Sequence, residues 1–240
     1  STLLKGLATQ VDIDAGTVQL DGGDVAEMGT KELARNLGLL SQENIAPDGL
    51  TVEDLVYHGR YPHRGFFESV TDEDEAAVEE ALSLAGASHI RDRELGSLSG
   101  GQKQLVWIAM VLAQETDVLL LDEPTTFLDL QHQLQVMEII ETLRTEREIT
   151  VVLVLHDISQ AARHADHMVA LKDGSIHARG TPDEIVTEEL LAEVFQIEAT
   201  VSHARENPKI TPLRPLDGTP AGPSDDDPDR DEATAGASTV

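Results

Sequence analysis

The chain has 240 residues, enough for a substantial core, and its 17 Lys plus Arg against 45 Asp plus Glu give a formal net charge of −28. That balance excludes nucleic acid as a direct electrostatic partner, because gripping phosphates needs a basic surface. Cysteine is absent, which rules out disulfides, Cys-ligated zinc and thiol nucleophiles.

Residues 3–8 are predicted as a short helix, and Thr17-Val18-Gln19-Leu20 as a strand entering a tight turn at Asp21-Gly22. Residues 37–40 form another short apolar run that ends at Ser41-Gln42. From Thr51 to about Ala113 the pattern is mostly helical. Thr51 and Thr71 each precede acidic residues of a first turn, and Ala77, Val78, Ala81, Leu82 and Leu84 share the apolar side of the second of these helices. Between them lies the irregular stretch Gly59-Arg60-Tyr61-Pro62-His63-Arg64-Gly65-Phe66-Phe67. After residue 115 the rhythm becomes strand, helix, strand. Val118-Leu119-Leu120-Leu121 and residues 150–155 read as parallel strands buried on both faces, with an amphipathic helix over 131–145 between them. Residues 158–165 are predicted helical, and 168–171 and 175–178 as strands joined by Lys172-Asp173-Gly174. Such alternation implies an α/β fold with a parallel sheet. Residues 181–214 continue as short helices with a strand. From Pro215 onward Pro, Gly, Ser and Asp dominate, the composition of a disordered tail.

Four groups of residues carry chemistry. Asp122-Glu123 lies at the C-terminal end of a buried strand, where ligands of open α/β sheets bind. An Asp there can hold Mg²⁺ through water, and a neighbouring Glu can orient or deprotonate an attacking water. Leu98-Ser99-Gly100-Gly101-Gln102 leads into a helix, with Ser99 as its cap and two glycines that leave backbone N–H groups open to an anion. His156 follows the second strand and can hydrogen-bond a phosphate oxygen and a water. Gln42 closes the run 37–40, with an amide oxygen able to reach Mg²⁺. Taken singly, each group also fits a solvated strand end, an ordinary helix cap or a structural histidine. Trp107, at helical spacing from Val111, reads as core.

Together and in this order the residues resemble the ATP-binding cassette (ABC) ATPases. Residues 98–102 spell the family's signature LSGGQ, Asp122-Glu123 matches its second Walker motif, Leu128-Asp129 its D-loop, Gln42 its Q-loop and His156 its switch histidine. Ser1-Thr2 matches the last two residues of the phosphate-binding loop. Gly59-Arg60-Tyr61-Pro62-His63, Asp122 to Leu130 with Gln131-His132-Gln133, and Leu155-His156-Asp157 with Gln160 are similar to the ATPases of iron-siderophore importers, with cobalamin and haem importers as close relatives. The resemblance implies a P-loop NTPase fold: a RecA-like core over 1–42 and 116–180, an inserted helical subdomain over 43–115, an extension over 181–214 and an acidic tail over 215–240. It implies ATP and Mg²⁺ as cofactors. Ser1, Thr2, Gln42, Ser99, Gly100, Gly101, Gln102, Asp122 and Asp129 are then the expected nucleotide contacts, with Ser1, Gln42 and Asp122 on the metal. Glu123 and His156 are the expected catalytic pair. The implied partners are a second ATPase subunit facing head to tail, two membrane subunits and, through them, an extracellular substrate-binding protein. The implied location is the cytoplasmic side of the membrane. A soluble ABC ATPase, and a fragment that docks without hydrolysing, remain the alternatives at this point.

Family members carry Gly-x-x-Gly-x-Gly-Lys immediately before the residue matching Ser1, and residues 1–240 do not include it. The expectation is that the sequence continues upstream through that loop, and that the longer protein hydrolyses ATP while residues 1–240 alone do not. The charge carries its own expectation. Residues 215–240 contribute −6, which leaves −22 on the remainder, and twelve of the 17 basic residues are Arg. This composition suits a high-salt cytoplasm, where ions screen the self-repulsion. The melting temperature is expected to rise between low salt and molar KCl; a steady fall would remove the halophile reading.

Overall fold

The computed structural model describes residues 2–42, 44–65, 68–203 and 207–216. They belong to two compact units, Ser1–His164 and Ala165–Val240. The first opens with α1 (Thr2–Leu7) and a small hairpin of β1 (Gln19–Leu20) and β2 (Gly23–Asp24). Asp21 and Gly22 turn that hairpin with φ of 50° and 82°, a left-handed pair that Asp tolerates and Gly adopts freely. Next come α2 (Thr30–Asn36), β3 (Leu37–Leu40), α3 (Val52–His58), α4 (Asp72–Leu84), α5 (Gly100–Leu112), β4 (Val118–Asp122), α6 (Leu130–Glu146), β5 (Thr150–Val154) and α7 (Ile158–His164).

Among the described residues β3, β4 and β5 pair in parallel in that order, with Leu40 opposite Leu121 and Asp122 opposite Val154. The central strand β4 is buried from Leu119 to Asp122. Its side chains alternate: Leu119 and Leu121 pack with Val136, Met137, Ile140 and Leu143 of α6, whereas Leu120 packs with Leu4, Val25 and Leu33 on the other face. Strand β5 departs from the expectation of burial on both faces, since Thr150 and Val152 are exposed. Val151 and Leu153 pack toward α6, whereas Thr150 and Val152 lie on the opposite face, and among the described residues β5 is paired on one side only, with β4.

From Leu105 to Leu112 helix α5 is apolar all round because it serves two cores. Leu105, Ile108 and Val111 face the sheet, while Val106, Ala109 and Ala113 just beyond join Val52, Val56, Val78 and Leu82 of the helical layer. Trp107 is partly buried against both, as core. The stretch after α3 is bolted to this arrangement. Arg60 is 2 % exposed and donates from Nε to Asp74 at 2.9 Å and from Nη1 to the Ala113 carbonyl at 2.8 Å. His63 Nε2 donates to the Gln114 carbonyl at 2.8 Å, and Arg35 Nε reaches the Pro62 carbonyl at 2.8 Å. Gly59 admits this close approach, since a Cβ there would sit 2.1 Å from the Met110 carbonyl oxygen. That oxygen is backbone and cannot swing aside. Gly59→Ala is therefore expected to destabilise the fold by about 3 kcal/mol, the upper end of overpacking costs. A urea midpoint unchanged at constant slope would show the loop has room to give.

The second unit carries a β6 (Met168–Lys172) and β7 (Ser175–Gly180) hairpin, α8 (Pro182–Ile185), α9 (Glu188–Phe195) and an antiparallel pair, β8 (Ile197–Ser202) and β9 (Lys209–Pro215). Ile185, Val186, Leu190, Leu191, Ala199 and Ile210 are among its buried side chains. The stretch 181–214 thus holds two strands, one more than its sequence pattern predicts. Residues 217–240, most of the expected tail, lie outside the described residues, as do Phe66, Phe67 and Ser1.

Candidate functional site

Parallel register brings the C-terminal ends of β3, β4 and β5 to one edge, and three predicted residues meet there. The Glu123 N–H donates to the Val154 carbonyl at 3.1 Å, which extends the ladder one residue past β4. Glu123 then adopts φ of 52°, a left-handed value uncommon for a residue with a Cβ and typical of functional turns. Its Oε2 accepts from Gln42 Nε2 at 2.7 Å and from Thr126 Oγ1 at 3.1 Å. Its Oε1 lies 2.5 Å from His156 Nε2. An ionised carboxylate only accepts, so this arrangement places a proton on His156 Nε2. The Glu123 side chain is 8 % exposed and the His156 side chain 75 %. A shielded carboxylate held by three donors, beside an accessible imidazole, can fix a water and take its proton. Asp122, 2 % exposed, ends β4 next to it.

The second group lies at the start of α5. Ser99 caps the helix: its Oγ accepts from the Gln102 N–H at 3.3 Å, and Gln102 Oε1 accepts from the Ser99 N–H at 3.2 Å. The Gln102 amide oxygen is thus engaged in the cap, while Ser99 and Gly100 are exposed at the positive helix end. Thr2 is exposed in the first turn of α1.

Asp129 caps α6. Its Oδ1 accepts from the His132 N–H at 2.9 Å and lies 2.8 Å from His132 Nδ1. The backbone bond and then the imidazole bond hold its carboxyl below the ordinary value of 3.8. Other ties in the loop between β4 and α6 escaped the sequence reading. Gln104 Nε2 donates to the Pro124 carbonyl at 3.0 Å, Gln133 Nε2 to the Leu128 carbonyl at 3.0 Å and Thr125 Oγ1 to Gln160 Oε1 at 3.1 Å. Their only sequence signal is a run of amide side chains flanking the acidic strand. Among the described residues no cluster of His, Asp and Glu is built to hold a metal by itself, and no helix is long and apolar enough to cross a membrane.

The chain matches the ABC transporter family over residues 1–126. It is 44 % identical over 220 residues, 92 % of this chain and 76 % of the relative, to the "probable siderophore transport system ATP-binding protein YusV" of Bacillus subtilis. It is likewise 44 % identical over 215 residues, 89 % of this chain and 79 % of the relative, to the ferric enterobactin transport ATP-binding protein FepC of Escherichia coli. Among solved structures it resembles an inward-facing metal-chelate type ABC transporter, with a TM-score of 0.77 and 28 % identity over 88 % of this chain and 82 % of that one. A dimeric cassette, MJ0796 with bound ADP and Pi, aligns at a TM-score of 0.65 and 27 % identity, covering 75 % of this chain and 79 % of that one.

Proposed function

The chain belongs to the ABC transporter family of ATP-binding proteins, and from that membership we propose that it is the ATP-hydrolysing subunit of an importer for iron–siderophore complexes. The observation that carries the hydrolytic part is the meeting of Gln42, Glu123 and His156 at the strand ends. Support for the cargo comes from relatives whose names specify siderophore, ferric enterobactin and iron(3+)-hydroxamate transport.

In this reading two copies face head to tail. The phosphates of one ATP rest at Ser1 and Thr2 of one copy, under the exposed helix start Ser99-Gly100-Gly101 of the other. Glu123 orients a water and takes its proton as the water oxygen bonds to the γ-phosphorus. The bond from that phosphorus to the β–γ bridging oxygen breaks, which releases ADP and inorganic phosphate, and the proton passes from Glu123 to solvent. His156, whose Nε2 proton rests on Glu123 in the free chain, turns that proton toward the charge that develops on the γ-phosphoryl oxygens. The oxygen-donor set fits Mg²⁺. The Gln42 amide nitrogen is committed to Glu123, which leaves its oxygen for a hard cation, and Asp122 supplies a buried carboxylate beside it. Gln42, Asp122 and Ser1 would hold the ion, which would neutralise phosphate charge. Asp129 and Gln102 act from the flanks, one on the facing copy and one through the Ser99 cap. The subunit sits on the cytoplasmic face of membrane subunits, whose external partner delivers the cargo.

The test reconstitutes the protein, read through the phosphate loop upstream of Ser1, with its membrane subunits in proteoliposomes. ATP-dependent uptake of a ferric siderophore that Glu123→Gln abolishes is the expected result. ATP turnover with no bound polytopic subunit and no uptake would point to a soluble ABC ATPase instead.

A further inference from the structure

Helices α3, α4 and α5 share one capping pattern. A Thr or Ser cap accepts from the third helical residue, and that residue, Asp54, Asp74 or Gln102, reaches back to the cap's own N–H. Helix α6 breaks the pattern. Its third residue is His132, whose ring meets the Asp129 carboxylate rather than the Asp129 backbone. The cap itself needs only the His132 N–H, so the imidazole serves something else.

Its other neighbour shows what. A Cβ built on Gly101 would lie 2.6 Å from both Cγ and Cδ2 of His132 and 2.8 Å from Nδ1. The imidazole therefore fills the space that a side chain at the second position of α5 would need. The His132 side chain is 23 % exposed, so it is largely enclosed there. Because a carboxylate only accepts, Nδ1 carries the proton toward Asp129, which fixes the ring's orientation. The start of α5 thus touches the loop that follows β4 at two places: through Gln104 at Pro124, the residue after Glu123, and through His132 at Asp129.

We infer that His132 is a positioning residue that locks the Ser99–Gln102 helix start and the Asp129 loop into one register. It thereby couples the ATP covered by α5 to the Glu123 that acts on the other ATP of the pair. The inference rests on the head-to-tail reading proposed above. Each copy's α5 start serves its neighbour's nucleotide while its Glu123 serves its own, so a rigid link within one copy connects the two sites. Displacement of α5 by its phosphate contact moves Pro124 and Asp129 together, and Glu123 lies at the root of that loop.

The experiment measures ATP turnover of the protein read through its phosphate loop, together with amide hydrogen exchange. His132→Ala keeps the backbone cap and removes the ring. It is expected to lower kcat about tenfold, to leave KM for ATP within about twofold and to bring the Hill coefficient toward 1. His132→Asn, whose amide reproduces the Nδ1 donor without the ring, is expected to recover part of the loss. In exchange, residues 100–102 and 126–129 should open together in His132→Ala while the other capped helix starts keep their protection. A kcat within about twofold of wild type, a loss confined to KM, or unchanged exchange in both segments overturns the inference. A wild-type protein without turnover overturns the hydrolytic reading instead, and the exchange measurement still decides the role of His132.

Discussion

Glu123→Gln is expected to cut phosphate release by about a thousandfold, within the range that general-base catalysis supplies, while ATP-dependent pairing of two copies survives. The substitution is nearly isosteric, and its effect comes from the count of donors and acceptors. Glu123 receives hydrogen bonds from Gln42 Nε2, Thr126 Oγ1 and His156 Nε2. A glutamine offers one oxygen and one NH₂ in place of two oxygens, so one of the flanking donors must change role. His156, with its side chain 75 % exposed, can do so by moving its proton to Nδ1 and accepting at Nε2. The pocket then survives intact without a group able to take a proton from water. The predicted phenotype is a trapped ATP-bound pair, read by light scattering, with a burst-free, near-zero phosphate signal. Hydrolysis within tenfold of wild type would mean that Glu123 only positions water, and that the proton leaves by another route.

The strand ends and the Ser99 cap were legible in the sequence because their signals are local. A continuous apolar run predicts β4, and a Ser followed three residues later by Gln predicts a reciprocal cap. Gln42, Glu123 and His156 are 81 and 33 residues apart along the chain. No local signal joins them; the sequence set them side by side only through the family resemblance, and in the fold they meet because parallel strands end at one edge. The exposure of β5 was not legible, since strand composition does not report how many neighbours a strand has. The contact of His132 with Gly101 was hidden for a related reason. A glycine in a signature stretch reads as room for a phosphate, and nothing local says that an imidazole shares that room. Arg60 stood in a stretch read as irregular and as part of the family resemblance, with no packing role expected of it. A buried arginine has no sequence signature, because its partners lie at the two ends of a helical layer.

Arg60→Met is expected to destabilise the fold by about 3 kcal/mol, the lower end of the cost of stripping a buried charge of its close partner, because Arg64 Nε remains 4.0 Å from the other Asp74 oxygen. Arg60 and Asp74 are 2 % and 3 % exposed, and the guanidinium also holds the Ala113 carbonyl and, at 2.5 Å, Glu115. The sign of the pH dependence follows from Asp74. Burial is the largest single influence and pushes its carboxyl up. The bond from Arg60, the bonds from the Thr71 N–H and hydroxyl, and the Arg60 charge together outweigh burial and hold it below the ordinary value of 3.8. A carboxylate depressed in the folded state adds stability that is fully present above its unfolded value and is lost as pH falls through the folded one. In Arg60→Met the carboxyl keeps its burial and its Thr71 bonds but loses the guanidinium, so it takes up a proton at higher pH than in the wild type. Once both proteins carry a protonated Asp74, the carboxylate charge that lost Arg60 in the variant is gone. The stability gap between the two is therefore expected to be widest near neutral pH and to narrow as pH falls through the pKa of the Asp74 carboxyl, of the variant first and of the wild type after it. Urea titrations of both proteins at several pH values measure it. A gap that stays constant into acid would assign the loss to the Ala113 carbonyl contact and to packing, and would leave the Asp74 and Glu115 carboxylates without a part in tying the loop after α3 to the helical layer.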